Sequence, residues 1–146
     1  MKSVLLDTDI ILDFFFDRKP FSEYSAQILS LCESKEIKGY VTSVIISNVY
    51  YLLRQTASHD KVIEKLTQLI TLTEVLTTSK EIIIQALNSK FKDFEDALQN
   101  YSAEVSENID VVITRNTKDY KNSNLSIMTP EAYIKTKTSI PVRSDF

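Results

Sequence analysis

Carboxylates cluster at three points of this 146-residue chain. Asp7 and Asp9 end a short apolar run, Val4-Leu5-Leu6. Asp93, Glu95 and Asp96 open a stretch of helical character. Asp119 follows Arg115 and Asn116, just after a second apolar run, Val111-Val112-Ile113. Two like charges about 4 Å apart repel by roughly 4 kcal/mol at an effective dielectric near 20. Three or more carboxylates in one cleft therefore protonate, separate or hold a cation. Oxygen-only ligands favour a hard divalent ion, Mg²⁺ or Mn²⁺. Such an ion lowers the pKa of an attacking water and neutralises charge developing on a phosphate, so phosphoryl transfer would need no histidine.

Each group also has a plainer reading. Asp7 and Asp9 could end a strand and begin a turn. Asp93, Glu95 and Asp96 could be a capped first helical turn, where the helix dipole favours acids. Asn48 lies inside an apolar helix and could satisfy nearby backbone. Asp119 could be a solvated loop acid, and Arg115 with Lys118 a solvated face. His59 reads as a surface loop residue. Joint placement separates the two readings, so the elements that position these residues carry the argument.

Those elements alternate. Ser3 to Leu6 reads as a strand and Ile10 to Phe16 as a helix, broken by Arg18-Lys19-Pro20. A second helix runs from Ser22 to about Lys35, Gly39 punctuates, and Tyr40 to Thr42 is a second strand. Ser43 to about Arg54 is apolar on nearly every side, which predicts a buried helix. A helix after Ser58-His59-Asp60 runs to about Ile70, Glu74 to Leu76 is a third strand, and Ser79 caps a helix to about Asn88. Asp93 opens a helix to about Glu107. Asp110 to Thr114 is a fourth strand, Arg115 to Asn124 a loop with one helical turn, and Leu125 to Met128 a fifth strand. Pro130 fits the first turn of a last helix through about Thr136. Continuous apolar runs in alternation with helices predict a five-stranded parallel sheet covered on both faces, in one domain over 1–136 with a tail over 137–146. In such a sheet, strand ends and following helix starts share an edge. Asp7, Asn48, Asn116 and Asp119 then meet there, joined by Asp96 if its helix starts on the same side.

Composition closes other routes. The apolar fraction of 43% and charged fraction of 25% are ordinary for a soluble globular chain. One cysteine, Cys32, and one histidine, His59, argue against a disulfide and a zinc site and fit a reducing, cytoplasmic setting. A single glycine, Gly39, leaves no way to write a Walker loop or a G-x-G-x-x-G turn. No signal peptide and no membrane span are expected. A net charge of −3 gives no global basic footprint, so a nucleic-acid substrate would need local basic residues and a cation.

The chain resembles the PIN domain, specifically VapC-like toxin ribonucleases. The resemblance rests on L-L-D-T-D-I-I-L-D, T-S-V-I-I-S-N-V-Y-Y-L-L-R, K-D-F-E-D-A-L-Q-N-Y-S-A and V-V-I-T-R-N-T-K-D-Y, and reaches to about Tyr133. It implies a three-layer α/β/α fold and a Mg²⁺- or Mn²⁺-dependent endoribonuclease. Asp7 matches the family's first acid and Asp96 the acid on the helix before strand four. The fourth acidic position maps onto Asn116, with Asp119 nearby. The second acid, usually Glu, falls at Asn48, which resembles a recurring branch with Asn there. The resemblance also implies a cognate antitoxin and a homodimer.

Two functions from different classes follow. The first is a ribonuclease in which Asp7, Asp96 and Asp119 hold the metal and Asn48 and Asn116 orient water or ligands. Thr114 would shape the end of strand four, and Lys90, Lys92, Arg115 and Lys118 would contact phosphate. The second is an RNA- or protein-binding module with a weakened site, favoured by Asn48. Asp7-x-Asp9 after a strand also resembles a haloacid-dehalogenase-type phosphatase, but that family's following glycine is missing.

Overall fold

Val4, Leu5 and Leu6 have no solvent exposure at all, and the strand they form lies mid-sheet. A computed structural model describes residues 2–106 and 108–138. The predicted tail, beyond its first two residues, lies outside them. The elements are β1 (Lys2–Leu6), α1 (Thr8–Phe15), α2 (Phe21–Glu33), β2 (Ile37–Thr42), α3 (Ser43–Leu53), α4 (His59–Leu72), β3 (Thr73–Leu76), α5 (Lys80–Leu87), α6 (Phe94–Ser106), β4 (Val111–Ile113), a 3₁₀ turn η1 (Thr117–Tyr120), β5 (Ser126–Met128) and α7 (Pro130–Thr138).

The sheet has five parallel strands in the order β3-β2-β1-β4-β5. The chain builds outward from β1 to β3, then returns to the other side of β1. Right-handed crossovers send connections that move in opposite directions to opposite faces. Hence α1 to α4 cover one face. The α5–α6 pair covers the other, with Ala86, Ala97 and Leu98 at its centre. This is the expected α/β class. Each fully buried Leu or Val of β1 contributes on the order of 1.5–3 kcal/mol.

Several boundaries differ from the sequence reading. The first helix starts at Thr8, because the Asp7 carboxylate caps it, accepting from the Thr8 N–H at 2.8 Å. Gly39 does not punctuate; it lies within β2, opposite Val4 of β1. A Cβ there would meet Cys32 Sγ at 2.6 Å, so glycine lets α2 approach the sheet. Burial pushes the Cys32 thiol up to about 11, which makes it packing rather than chemistry. The helix predicted to be buried all round is not: α3 buries Ile45, Val49 and Leu53 but leaves Tyr51 67% exposed. His59 is exposed as expected, but as the first residue of α4, where its Nδ1 is 2.9 Å from Tyr50 Oη.

Candidate active site

The strand order reverses between β1 and β4, and open α/β sheets bind ligands in the crevice beyond that switch point. Leu6 pairs with Ile113, so the next residues, Asp7 and Thr114, stand side by side. The Asp7 N–H donates to Ile113 O at 3.1 Å, and Thr114 Oγ1 donates to Asp7 Oδ2 at 2.8 Å. With Thr8 N–H on its other oxygen, the Asp7 carboxylate is fixed in orientation and 6% exposed.

Opposite it stands the first turn of α6. Asp93 Oδ1 accepts from the Asp96 N–H at 2.9 Å, so the plain capping role predicted for this acidic turn is real. It leaves the Asp96 carboxylate free to face the cleft, where Tyr120 Oη lies 3.4 Å from Asp96 Oδ1 and 3.2 Å from Gln99 Oε1. Tyr120 is buried under η1 and holds the far wall in place. From α3, Asn48 Nδ2 donates to Glu95 Oε2 across the opening. Asn116 Nδ2 donates to Asp9 Oδ2 at 3.2 Å, and the Arg115 N–H does the same at 3.2 Å. The cleft so formed has a volume of about 480 Å³. Asp7, Asn48, Asp96, Asn116 and Asp119 all line it.

Electrostatically the cleft concentrates negative charge, which hydrogen bonds and the nearby Arg115 charge offset only in part. Burial pushes the Asp7 carboxyl up, and Asp93 adds to this; hydrogen bonds from Thr114 and Thr8 pull the other way. Asp9 is pushed up to about 7, by burial and then by Asp7. Asp96 is pushed up to about 7, by burial and then by Asp7, Asp93 and Asp119. The Tyr120 hydroxyl is pushed far up by burial and by Asp7 and Asp96, so it stays a donor.

The wall also includes Asp9, Asp93 and Glu95, acids that the sequence reading singled out without giving them a role in the site, and Gln99 and Tyr120, which it did not single out. Gln99 was findable, since it lies one helical turn after Asp96 on the same face. Tyr120 carried no local signal. Arg115, expected to contact phosphate, turns away. Its Nε donates to Asp13 Oδ2 at 2.6 Å and its Nη2 to Asp13 Oδ1 at 3.0 Å, while its guanidinium lies 4.1 Å from the centroid of the Phe21 ring. The fully buried Asp13 carboxylate also receives Arg18 Nη1 at 3.4 Å. Lys90 lies outside the cleft, and Lys92 and Lys118 line a neighbouring depression.

A model of the PIN domain family matches residues 3–118, well over half of the chain. The chain belongs to the PIN domain family. It is 23% identical over 137 residues to Ribonuclease VapC1 of Aquifex aeolicus (strain VF5), covering 90% of this chain and 93% of that one. Its fold matches a chain of a toxin–antitoxin complex from Klebsiella pneumoniae with a TM-score of 0.65 at 21% identity, over 87% of this chain and 97% of that one. It also matches a chain of VapBC-1 from nontypeable Haemophilus influenzae, with a TM-score of 0.64 at 16% identity, over 88% and 98%. A PIN fold leaves no basis for the dehalogenase-type reading. Among the described residues no helix is long and apolar enough to cross a membrane.

The donor set suits a hard divalent cation of the kind a PIN nuclease would use. Every charged group in the cleft is a carboxylate, and Asp9 Oδ1 is buried without a hydrogen-bond partner. Among the described residues, no three or more His, Cys, Asp or Glu side chains already stand close enough together to hold a metal ion.

The same charges predict how stability responds to pH. Without added metal, the melting temperature should fall as pH rises from about 4 to about 8. The folded-state values of Asp9 and Asp96, about 7, lie above their ordinary value of 3.8. Between those limits the folded state binds more protons than the unfolded one, so stability is fullest at the acid end and is lost through that window. Asp17, held low by Ser22 and Lys19, acts below the window. Mn²⁺ should restore the melting temperature at pH 8. A metal-free profile that stays flat or rises would contradict the charge arrangement.

Proposed function

We propose that this PIN chain is a divalent-metal-dependent endoribonuclease, the toxin of a toxin–antitoxin pair, acting in the cytoplasm. The observation that carries the reading is the convergence of Asp7, Asp96 and Asp119 on one cleft beyond the β1–β4 switch point. Asp7 and Asp96 would hold a Mg²⁺ or Mn²⁺ ion, with Asp119 reaching it through water. When bound, the ion supplies charge neutralisation at the scissile phosphate and activation of the attacking water.

The chain's own residues do the positioning. Thr114 and the Thr8 N–H fix the two Asp7 oxygens, and Tyr120 steadies Asp96. Asn116 ties Asp9 to the loop after β4. Asn48 is anchored by Glu95, so the α3 wall presents an amide where the family's usual acid would stand, with a carboxylate from α6 beside it. RNA is supported as substrate by the name of the relative, and an antitoxin as partner by the complexes that share the fold.

The neutral Asn48 favours a second reading, a PIN module that binds RNA or protein without cutting. Cleavage of a panel of structured RNAs by partner-free protein in Mn²⁺, Mg²⁺ or EDTA separates the two. Products in metal that vanish in EDTA support the nuclease. RNA retention without products in either metal supports the module.

A homodimer belongs to the same proposal. Ile83, Ile84 and Leu87 of α5 are exposed, Leu87 by 66%. A second copy of the chain would cover that face. Light scattering should give twice the chain mass, and Leu87→Glu should halve it. A wild-type monomer at micromolar concentration would refute the dimer.

A further inference from the structure

Beside the acidic cleft lies a second depression of about 340 Å³, lined by Lys92, Asp93, Lys118, Asp119, Lys121 and Asn122. Asp93 and Asp119 line both, so the two meet along that pair of acids. We propose that Lys92, Lys118 and Lys121 form a track for the sugar–phosphate backbone of single-stranded RNA as it enters or leaves the acidic cleft. The inference rests on the ribonuclease reading and adds a binding site to it.

The local structure explains why the three lysines converge. In a 3₁₀ turn residues i and i+3 eclipse, which puts Lys118 of η1 and Lys121 at its end on one side. The Lys121 N–H donates to Lys118 O at 3.3 Å, and Tyr120, 1% exposed, pins the turn from beneath. Asn122 Nδ2 donates to Lys90 O at 3.2 Å, which ties this segment to the loop before α6. That loop carries Lys92. Three cations from two separate segments are thereby held around one depression.

Their chemistry suits a backbone rather than a base. All three are exposed, and none makes an ion pair among the described residues. Lys19 and Lys135, by contrast, pair with Asp17 and Glu131. A lysine ammonium on a flexible stem contacts phosphate as a point charge and reads no sequence. The chain carries a net charge of −3, and its cleft is walled by acids, so a polyanion needs local cations at the edge to approach. A single strand suits the geometry because its backbone can bend to bring one phosphate toward Asp7, which is 6% exposed.

The test is a salt titration with the full chain in EDTA, which withholds metal and prevents turnover. The probe is a fluorescein-labelled single-stranded RNA followed by anisotropy across a range of NaCl concentrations. Each phosphate contact on a single strand contributes about 0.7 to the slope of log K against log salt. The triple variant Lys92→Ala/Lys118→Ala/Lys121→Ala should therefore lose about 2 units of slope, and affinity at low salt should fall at least tenfold. The charge-matched variant Lys38→Ala/Lys61→Ala/Lys65→Ala, whose lysines line neither depression, should lose much less. Equal loss in both variants would overturn the track, leaving only net charge. An unchanged slope in the first variant, with metal-dependent cleavage intact in the wild type, would also overturn it and leave the nuclease standing. No RNA binding and no cleavage by the wild type would remove the ribonuclease reading itself, and the track with it.

Discussion

Asp96→Asn should reduce metal-dependent RNA cleavage by about 10²–10³-fold, the rate equivalent of roughly 3–4 kcal/mol of lost transition-state charge stabilisation. The substitution keeps the shape and an acceptor oxygen for Tyr120, and it removes one negative charge from a wall shared with Asp7, Asp93 and Asp119. That removal has a signature of its own. At pH 8 without metal, the ionised Asp96 carboxylate is held against its neighbours at a cost, because its folded-state value of about 7 exceeds the ordinary 3.8. The variant should melt at or above the wild type under those conditions, while the increase in melting temperature produced by Mn²⁺ should shrink. Loss of activity together with loss of stability would mean that Asp96 is structural. Full activity in a stable variant would remove it from the site.

The second large effect falls on stability. Arg115→Met should cost about 3–5 kcal/mol, because it strips a two-pronged guanidinium partner from a carboxylate with no solvent exposure. For a chain of this size that lowers the melting temperature on the order of 10 °C. Arg18 cannot compensate, since it reaches Asp13 with a single contact at 3.4 Å from a side chain 44% exposed. Arg115→Lys should fall between, keeping charge but losing the fork. Pairing Arg115→Met with Asp13→Leu should recover much of the loss, since a buried ion pair exchanged for apolar packing is often close to neutral. The check is thermal melting of wild type, Arg115→Met, Asp13→Leu and the double variant as a double-mutant cycle, with Arg115→Lys alongside. If Arg115→Met melts within a degree or two of wild type, the pair does not hold the loop after β4. In the folded protein Arg115→Met should also leave the RNA salt slope unchanged, which separates this arginine from the lysines that line the neighbouring depression.

The contrast between those two residues shows where sequence reasoning reached and where it stopped. Asp96 was legible in part from local patterns: it lies three residues after a capping Asp93, in the first turn of a helix, while the edge at which that helix starts was left open. Arg115 was equally visible, next to Asn116 at the end of an apolar strand, yet its direction was not. Its partner lies 102 residues away, on α1. Gly39 was misread for the same reason. Its role is set by the Cys32 sulfur on α2 rather than by its neighbours in the chain.

By itself, the sequence determined the fold class of this protein and the residue types it offers for chemistry. Carboxylates at strand ends, one histidine, one cysteine and one glycine leave little besides oxygen-ligand chemistry on a parallel α/β sheet. Those are properties of composition and short-range period, which any single stretch of chain carries. The tertiary structure alone decided which acids confront one another and which cations remain free. Asn48 meets Glu95 across 47 residues, Asp7 meets Thr114 across 107, and Arg115 is spent on Asp13 while Lys92, Lys118 and Lys121 stay in solvent. The reason is physical. A charge is fixed by its residue, but its energy depends on burial and on the sign of what packs beside it, and both arise only when distant segments meet.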